Sequence, residues 1–107
     1  MTTFDQRKNA FESQFALDEA TRFKAVARRN RQLGIWAAAL LGKSGVEAEA
    51  YASDVVAADF EEAGDEDVFR KLRADFDAAG VAESDHQIRR TMNELLAQAV
   101  EQLKAEG

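Results

Sequence analysis

The sequence predicts an all-α fold, a four-helix bundle with a long N-terminal helix whose first part projects or is mobile. Three observations carry this. None of the 107 residues is proline, so no fixed φ or missing N–H forces a helix to break. Gly42, Gly64 and Gly80 stand where apolar-periodic stretches end, the position at which a left-handed glycine closes a helix. Apolar side chains recur at steps of three and four rather than two, which is the helical period.

The first helix is predicted from about Asp5 to Leu41, with Val26, Leu33, Trp36, Leu40 and Leu41 as its core residues. Ser44 and Glu47 spell a capping box and open a second helix, Gly45 to about Ala63. Its rows are Tyr51, Val55 and Ala58, and Val56 with Phe60. After Gly64, Asp65 is the expected cap of a third helix, with Glu66 and Asp67 at the positive end of its dipole and Val68, Leu72, Phe76 and Ala79 as its stripe. Gly80 closes it. Ser84 and Gln87 form a second capping box and start a helix to about Ala105, striped by Ile88, Met92, Leu95, Leu96, Ala99 and Leu103. Connections of two to five residues favour antiparallel neighbours. The whole is one helical domain, residues 1–107.

One length is out of proportion. A first helix of about 37 residues is roughly 55 Å long, against roughly 30 Å for the second and fourth. Its first part, through about Glu19, has no neighbour of equal length to cover Phe4, Phe11, Phe15 and Leu17. An uncovered aromatic row on a helical arm reads as a partner surface. Charge divides at the same place. Residues 1–31 hold seven basic and four acidic side chains, a net +3, while the remainder carries −9 to give −6 overall. A net negative chain argues against nucleic acid as the partner. No apolar run approaches the roughly 18 residues of a membrane span, so no membrane insertion is expected. The start, MTTFDQRKNAF, lacks the features of a secretory signal, and a cytoplasmic location is expected.

No catalytic or metal constellation emerges. Cysteine is absent and His86 is the only histidine; it falls in the first turn of the fourth helix and reads as a surface residue. Gly42-Lys43-Ser44 resembles the end of a phosphate-binding loop, but position 37 is Ala and a helix, not a strand, precedes it. The acidic run Asp59 to Asp67 fails as a calcium loop, because Arg70 occupies the place of the bidentate Glu. Arg28, Arg29 and Arg31, with Arg89 and Arg90 on the fourth helix, are candidates for nucleotide or electrostatic docking. Solvated ion pairs are the plainer reading of all five. A non-enzyme is expected.

Three separated stretches carry a family resemblance: FKAVARRNRQLGIWAAALLG (23–42), VVAADFEEAGDEDVFRKLRAD (55–75) and DHQIRRTMNELL (85–96), together with the start FDQRKNAFE (4–12). They closely resemble the zeta subunit family of alphaproteobacterial F-type ATP synthases, over essentially the whole chain. The resemblance implies a helical-bundle inhibitor of ATP hydrolysis. Its N-terminal segment would enter an interface between catalytic alpha and beta subunits and reach the gamma rotor. It would do so on the cytoplasmic catalytic head of the membrane-bound synthase. Carried onto this chain, the inhibitory arm is residues 1–19, with Phe4, Phe11 and Phe15 as apolar anchors and Arg7 and Lys8 as polar contacts. The resemblance implies no obligate cofactor, but weak ATP or ADP binding on the bundle. A small nucleotide-sensing helical module without direct ATPase inhibition is the alternative.

Overall fold

Residues 19–59 and 65–106 are described by the structure, a computed structural model. They form four helices: α1 (Glu19–Leu40), α2 (Gly45–Ala58), α3 (Glu66–Ala79) and α4 (Asp85–Glu106). At 22 residues each, α1 and α4 are about 33 Å long, while α2 and α3, at 14 residues, are about 21 Å. The long helices run antiparallel, with Arg28 in the first half of α1 bonded to Glu106 at the end of α4, and Gln32, one turn on, to Gln102, one turn back. α1 packs most extensively on α2 and α4, and α3 closes the bundle against α2 and α4.

The predicted stripes meet in one core. Leu33, Val55, Val68, Leu72, Phe76 and Ile88 are completely buried, each contributing about 1.5–3 kcal/mol through removal from water. Trp36 sits at the margin and meets Phe76 edge to face, 5.8 Å between ring centres. A smaller cluster of Ala25, Ala99 and Val100, flanked by Leu96 and Leu103, joins the first turns of α1 to the last turns of α4. Three positions depart from expectation. Leu40 and Ala79 are exposed, because Leu41 and Phe76 take the inward places beside them. Phe69, read as outside the stripe of α3, is buried.

Close approach of α1 and α2 depends on Gly34. A Cβ there would stand 2.6 Å from the Ala52 Cα and 3.1 Å from its Cβ, so only glycine permits the two backbones to approach this closely.

The helix ends test the capping argument one by one. Gly80 is left-handed at φ 70°, and the Val81 N–H donates to the Phe76 carbonyl at 2.8 Å, closing α3 as expected. The Ser84–Gln87 box forms in both directions. Gln87 N–H donates to Ser84 Oγ at 3.1 Å, and Ser84 N–H donates to Gln87 Oε1 at 3.0 Å. The Ser44–Glu47 box does not form, as Ser44 makes no side-chain cap bond. Gly45, the first residue of α2, has φ 55°, and this left-handed step replaces the regular first turn a capping box requires. Asp65 does not cap α3 with its side chain either, because Arg29 takes that carboxylate. Regular α2 ends at Ala58, short of the predicted Ala63. The predicted stretches 1–18 and 60–64, with the arm and Gly64, lie outside the described residues.

Candidate functional site

The five arginines singled out as docking candidates do not converge. Arg28 reaches across to α4, donating to both carboxylate oxygens of Glu106 and to Gln102. That hydrogen bonding raises the already high pKa of Arg28 and lowers that of Glu106. Arg31 pairs with Glu49 on α2. Arg89 lies 3.9 Å over the Phe69 ring and bonds Glu66 at 3.2 Å, tying α4 to α3. Arg90 pairs with Glu94 one turn on along α4. Each guanidinium thus meets a different carboxylate, and four of the five are on the outside of the bundle.

Arg29 is the exception, for it is completely buried. Its Nη2 donates to Asp65 at 2.7 Å and its Nε to the Asn30 side-chain oxygen at 2.7 Å. Asn30, also buried, lines the same small cleft as Asp59 and acts to lower the Asp59 pKa. Consecutive residues of α1 therefore face both ends of the α2–α3 connection, Asn30 near Asp59 before it and Arg29 bonded to Asp65 after it. Burial raises the pKa of Asp59, and the Asn30 side chain and the Arg29 charge only partly oppose that rise. Buried Asp67 accepts from Arg70 at 2.6 Å. Among the described carboxylates of the acidic run, Asp65 compensates the buried Arg29, while Glu66 and Asp67 pair with Arg89 and Arg70.

A second polar group is built around Tyr51 of α2. Tyr51 donates to Asp75 at 2.7 Å, and Lys71 reaches the same carboxylate at 3.1 Å while lying 5.0 Å from the centre of the Tyr51 ring. Burial first, then the bond to Asp75, pushes the Tyr51 phenol far above its usual range, so it remains a neutral donor. Tyr51, Lys71 and Asp75 line an open groove of about 430 Å³ with Leu41, Lys43, Ala78 and Ala79. Lys43 has no ion-pair partner among the described residues. His86 is exposed. No group of three or more potential metal ligands exists among the described residues, and no described helix is long and apolar enough to cross a membrane. The expected arm contacts Phe4, Arg7, Lys8, Phe11 and Phe15 lie outside the described residues.

A family model, ATPase inhibitor subunit zeta, matches residues 1–102. The chain belongs to this family. A solution NMR structure is similar to it, with 50% sequence identity and a TM-score of 0.70, covering 80% of this chain and 98% of that one. No curated protein matches. Membership of the zeta family makes the chain an ATPase inhibitor subunit.

The sequence reading missed the burial of Arg29 and Asn30, and with it the internal role of Asp65. The available signal was periodicity. Arg29 lies four residues before Leu33 and eight before Ala37, on the buried row of α1.

Proposed function

We propose that this protein is the intrinsic inhibitor of ATP hydrolysis by an F-type ATP synthase. It acts stoichiometrically rather than as an enzyme, on the cytoplasmic catalytic head. Residues 1–19 form the inhibitory segment, which enters a catalytic alpha/beta interface and stops the gamma rotor, while the bundle limits how far the segment passes. The observation that carries this reading is the family match from residue 1, which spans the basic, aromatic segment as well as the bundle. Helical arithmetic supports the choice of contacts. At about 100° per residue, Phe4, Phe11 and Phe15 fall within about 20° of one line when the register of α1 is carried upstream. That line runs on to Arg29 and Leu33, the buried row of α1. A segment bound as a helix would thus present an apolar row to the enzyme where the bundle no longer covers it. Arg7 and Lys8 flank that row and supply charge for an acidic rim.

The test keeps the chain at full length. A Phe4→Ala, Phe11→Ala, Phe15→Ala triple variant should retain the helical circular dichroism of the parent and lose inhibition of the cognate ATPase by tenfold or more, since truncated anchors cost over ~1.4 kcal/mol. Undiminished inhibition by the triple variant rejects the arm assignment.

Weak ATP or ADP binding is a subsidiary proposal. With the five arginines each paired to a carboxylate, the groove beside Tyr51 offers a phosphate a cation in Lys43. Amide shifts of Lys43 and Lys71 that saturate on nucleotide titration would support it, and their absence at millimolar nucleotide would reject it.

A further inference from the structure

α1 is seated on the bundle in two different ways along its length. From Leu33 onward it belongs to the main core, through Leu33, Ala37 and Ala38. Upstream of Leu33 its apolar seat is Ala25 against Ala99 and Val100 of α4, a separate and smaller cluster. Hydrophobic stabilisation scales with the area buried, and an alanine buries little. Polar groups therefore carry a larger share of the hold on this half of the helix than on the other.

Apart from Arg29 and Asn30, which face the α2–α3 connection, these groups build a ladder to α4. Arg28 donates through Nη1 to one oxygen of Glu106 and through Nη2 to the other, the latter at 2.9 Å. Its Nη1 also lies 3.4 Å from Gln102 Oε1, and Gln32, one turn on, donates to the same oxygen at 3.2 Å. The Arg28–Glu106 rung is two-pronged, the geometry in which guanidinium and carboxylate bind most strongly. It joins residues 78 positions apart in the chain. Local helix chemistry does not favour Glu106 where it stands. It is the last residue of α4, at the negative end of the dipole, where an acid is disfavoured, and Arg28 across the groove is what offsets this. Arg28 in turn lies about 13 Å of helix beyond Glu19, the point at which the inhibitory segment runs into α1.

We infer that Arg28, Gln102 and Glu106 are positioning residues for inhibition, a brace that holds the base of the inhibitory segment on α4 while the rotor pushes against it. This rests on the inhibitor reading and adds the route by which load passes from the segment to the bundle. A rotor that displaces the segment lifts the first half of α1 away from α4, and the rungs of the ladder resist that motion. Each opening of the ladder frees the base and lets the rotor pass. Residual hydrolysis at saturating inhibitor then follows the fraction of time the ladder is open. Affinity for the enzyme follows the anchors of the segment itself.

Full-length Arg28→Glu, Glu106→Arg and the double exchange test it against the cognate catalytic complex. Each single variant sets like charges across the ladder, so its opening should rise about fivefold. Amide exchange at residues 25–32 should quicken by about that factor, and residual ATP hydrolysis at saturating protein should rise with it, again about fivefold. The concentration for half-maximal inhibition should stay within about twofold of the parent. The double exchange restores an ion pair and should return exchange and residual hydrolysis to parental values. The two side chains are 30% and 58% exposed, so all three variants should keep the circular dichroism of the parent. The brace is refuted if the single variants leave no more residual hydrolysis than the parent. It is refuted equally if the double exchange inhibits as poorly as the single variants, since the two side chains then act on the enzyme separately. In both cases a parent that inhibits leaves the inhibitor reading standing, whereas a parent that does not inhibit removes both.

Discussion

Asp65→Ala should be more damaging than Arg29→Met, although Arg29 is the buried member of the pair. The Arg29 side chain is 1% exposed and that of Asp65 48% exposed, at 2.7 Å. Removing the partner of a fully buried charge costs about 3–5 kcal/mol, because the remaining ion is left without compensation. Water already screens about half of the Asp65 carboxylate, so the loss from Asp65→Ala should be about 2 kcal/mol. The unpaired guanidinium keeps its bond to Asn30. In Arg29→Met the charge leaves with the side chain, a flexible apolar group fills its volume, and Asp65 turns to solvent. That change should cost about 1 kcal/mol or less. Thermal denaturation reads the difference directly. For a chain of this size Tm moves by about 4–8 °C per kcal/mol, so Asp65→Ala should melt about 8–16 °C below the parent. Combining Asp65→Ala with Arg29→Met should add no more than about 0.5 kcal/mol to the single Arg29→Met variant. The reasoning is wrong if Arg29→Met is the less stable of the two single variants, or if Asp65→Ala melts with the parent.

Further outcomes follow from the same contacts. Gly34→Ala gains about 1 kcal/mol of helix propensity but drives a Cβ to 2.6 Å from the Ala52 backbone. Overpacking near the upper end of about 1–3 kcal/mol should leave it destabilised by about 2 kcal/mol, and a raised Tm would contradict the close packing of α1 on α2. Ser84→Ala should lose about 1 kcal/mol with its capping box, whereas Ser44→Ala should stay within about 0.5 kcal/mol, and urea denaturation separates them. Asp59 carries a pKa raised above its ordinary 3.8. Its stabilising contribution is therefore complete below that value and lost as pH rises through the folded-state pKa. Asp59→Asn, neutral at every pH, should melt above the parent at pH 7, and the gap should close below about pH 3.8. A variant less stable than the parent at pH 7 would show that the charge is favoured at this position.

How legible the fold was depends on which interactions are local. The Gly80 stop and the Ser84–Gln87 box act within a few residues of chain, and both formed as read. The stripes of α3 and α4 needed only the helical period, and Leu72, Phe76, Ile88 and Met92 are all inside. Asp65 failed as a cap because a distant residue competes for it. Arg29 lies 36 positions away in the chain, and its burial makes its demand for a carboxylate stronger than that of an exposed helix end. Nor does the run Arg28 to Arg31 announce that one member points inward, since charge type suggests a surface and only the phase of the helix separates Arg29 from its neighbours. Gly34 was silent for another reason. A glycine inside a helix is weak by propensity, and its use becomes visible only when Ala52 is placed against it. For the candidate site, composition alone carries the +3 segment and its aromatic row.

The central claim is inhibition, and the most direct measurement is a titration of the full-length protein into the cognate catalytic complex during steady-state ATP hydrolysis. The account predicts a saturable fall in hydrolysis that reaches its limit near one inhibitor per enzyme complex. Hydrolysis unchanged by a many-fold molar excess of folded protein would contradict it.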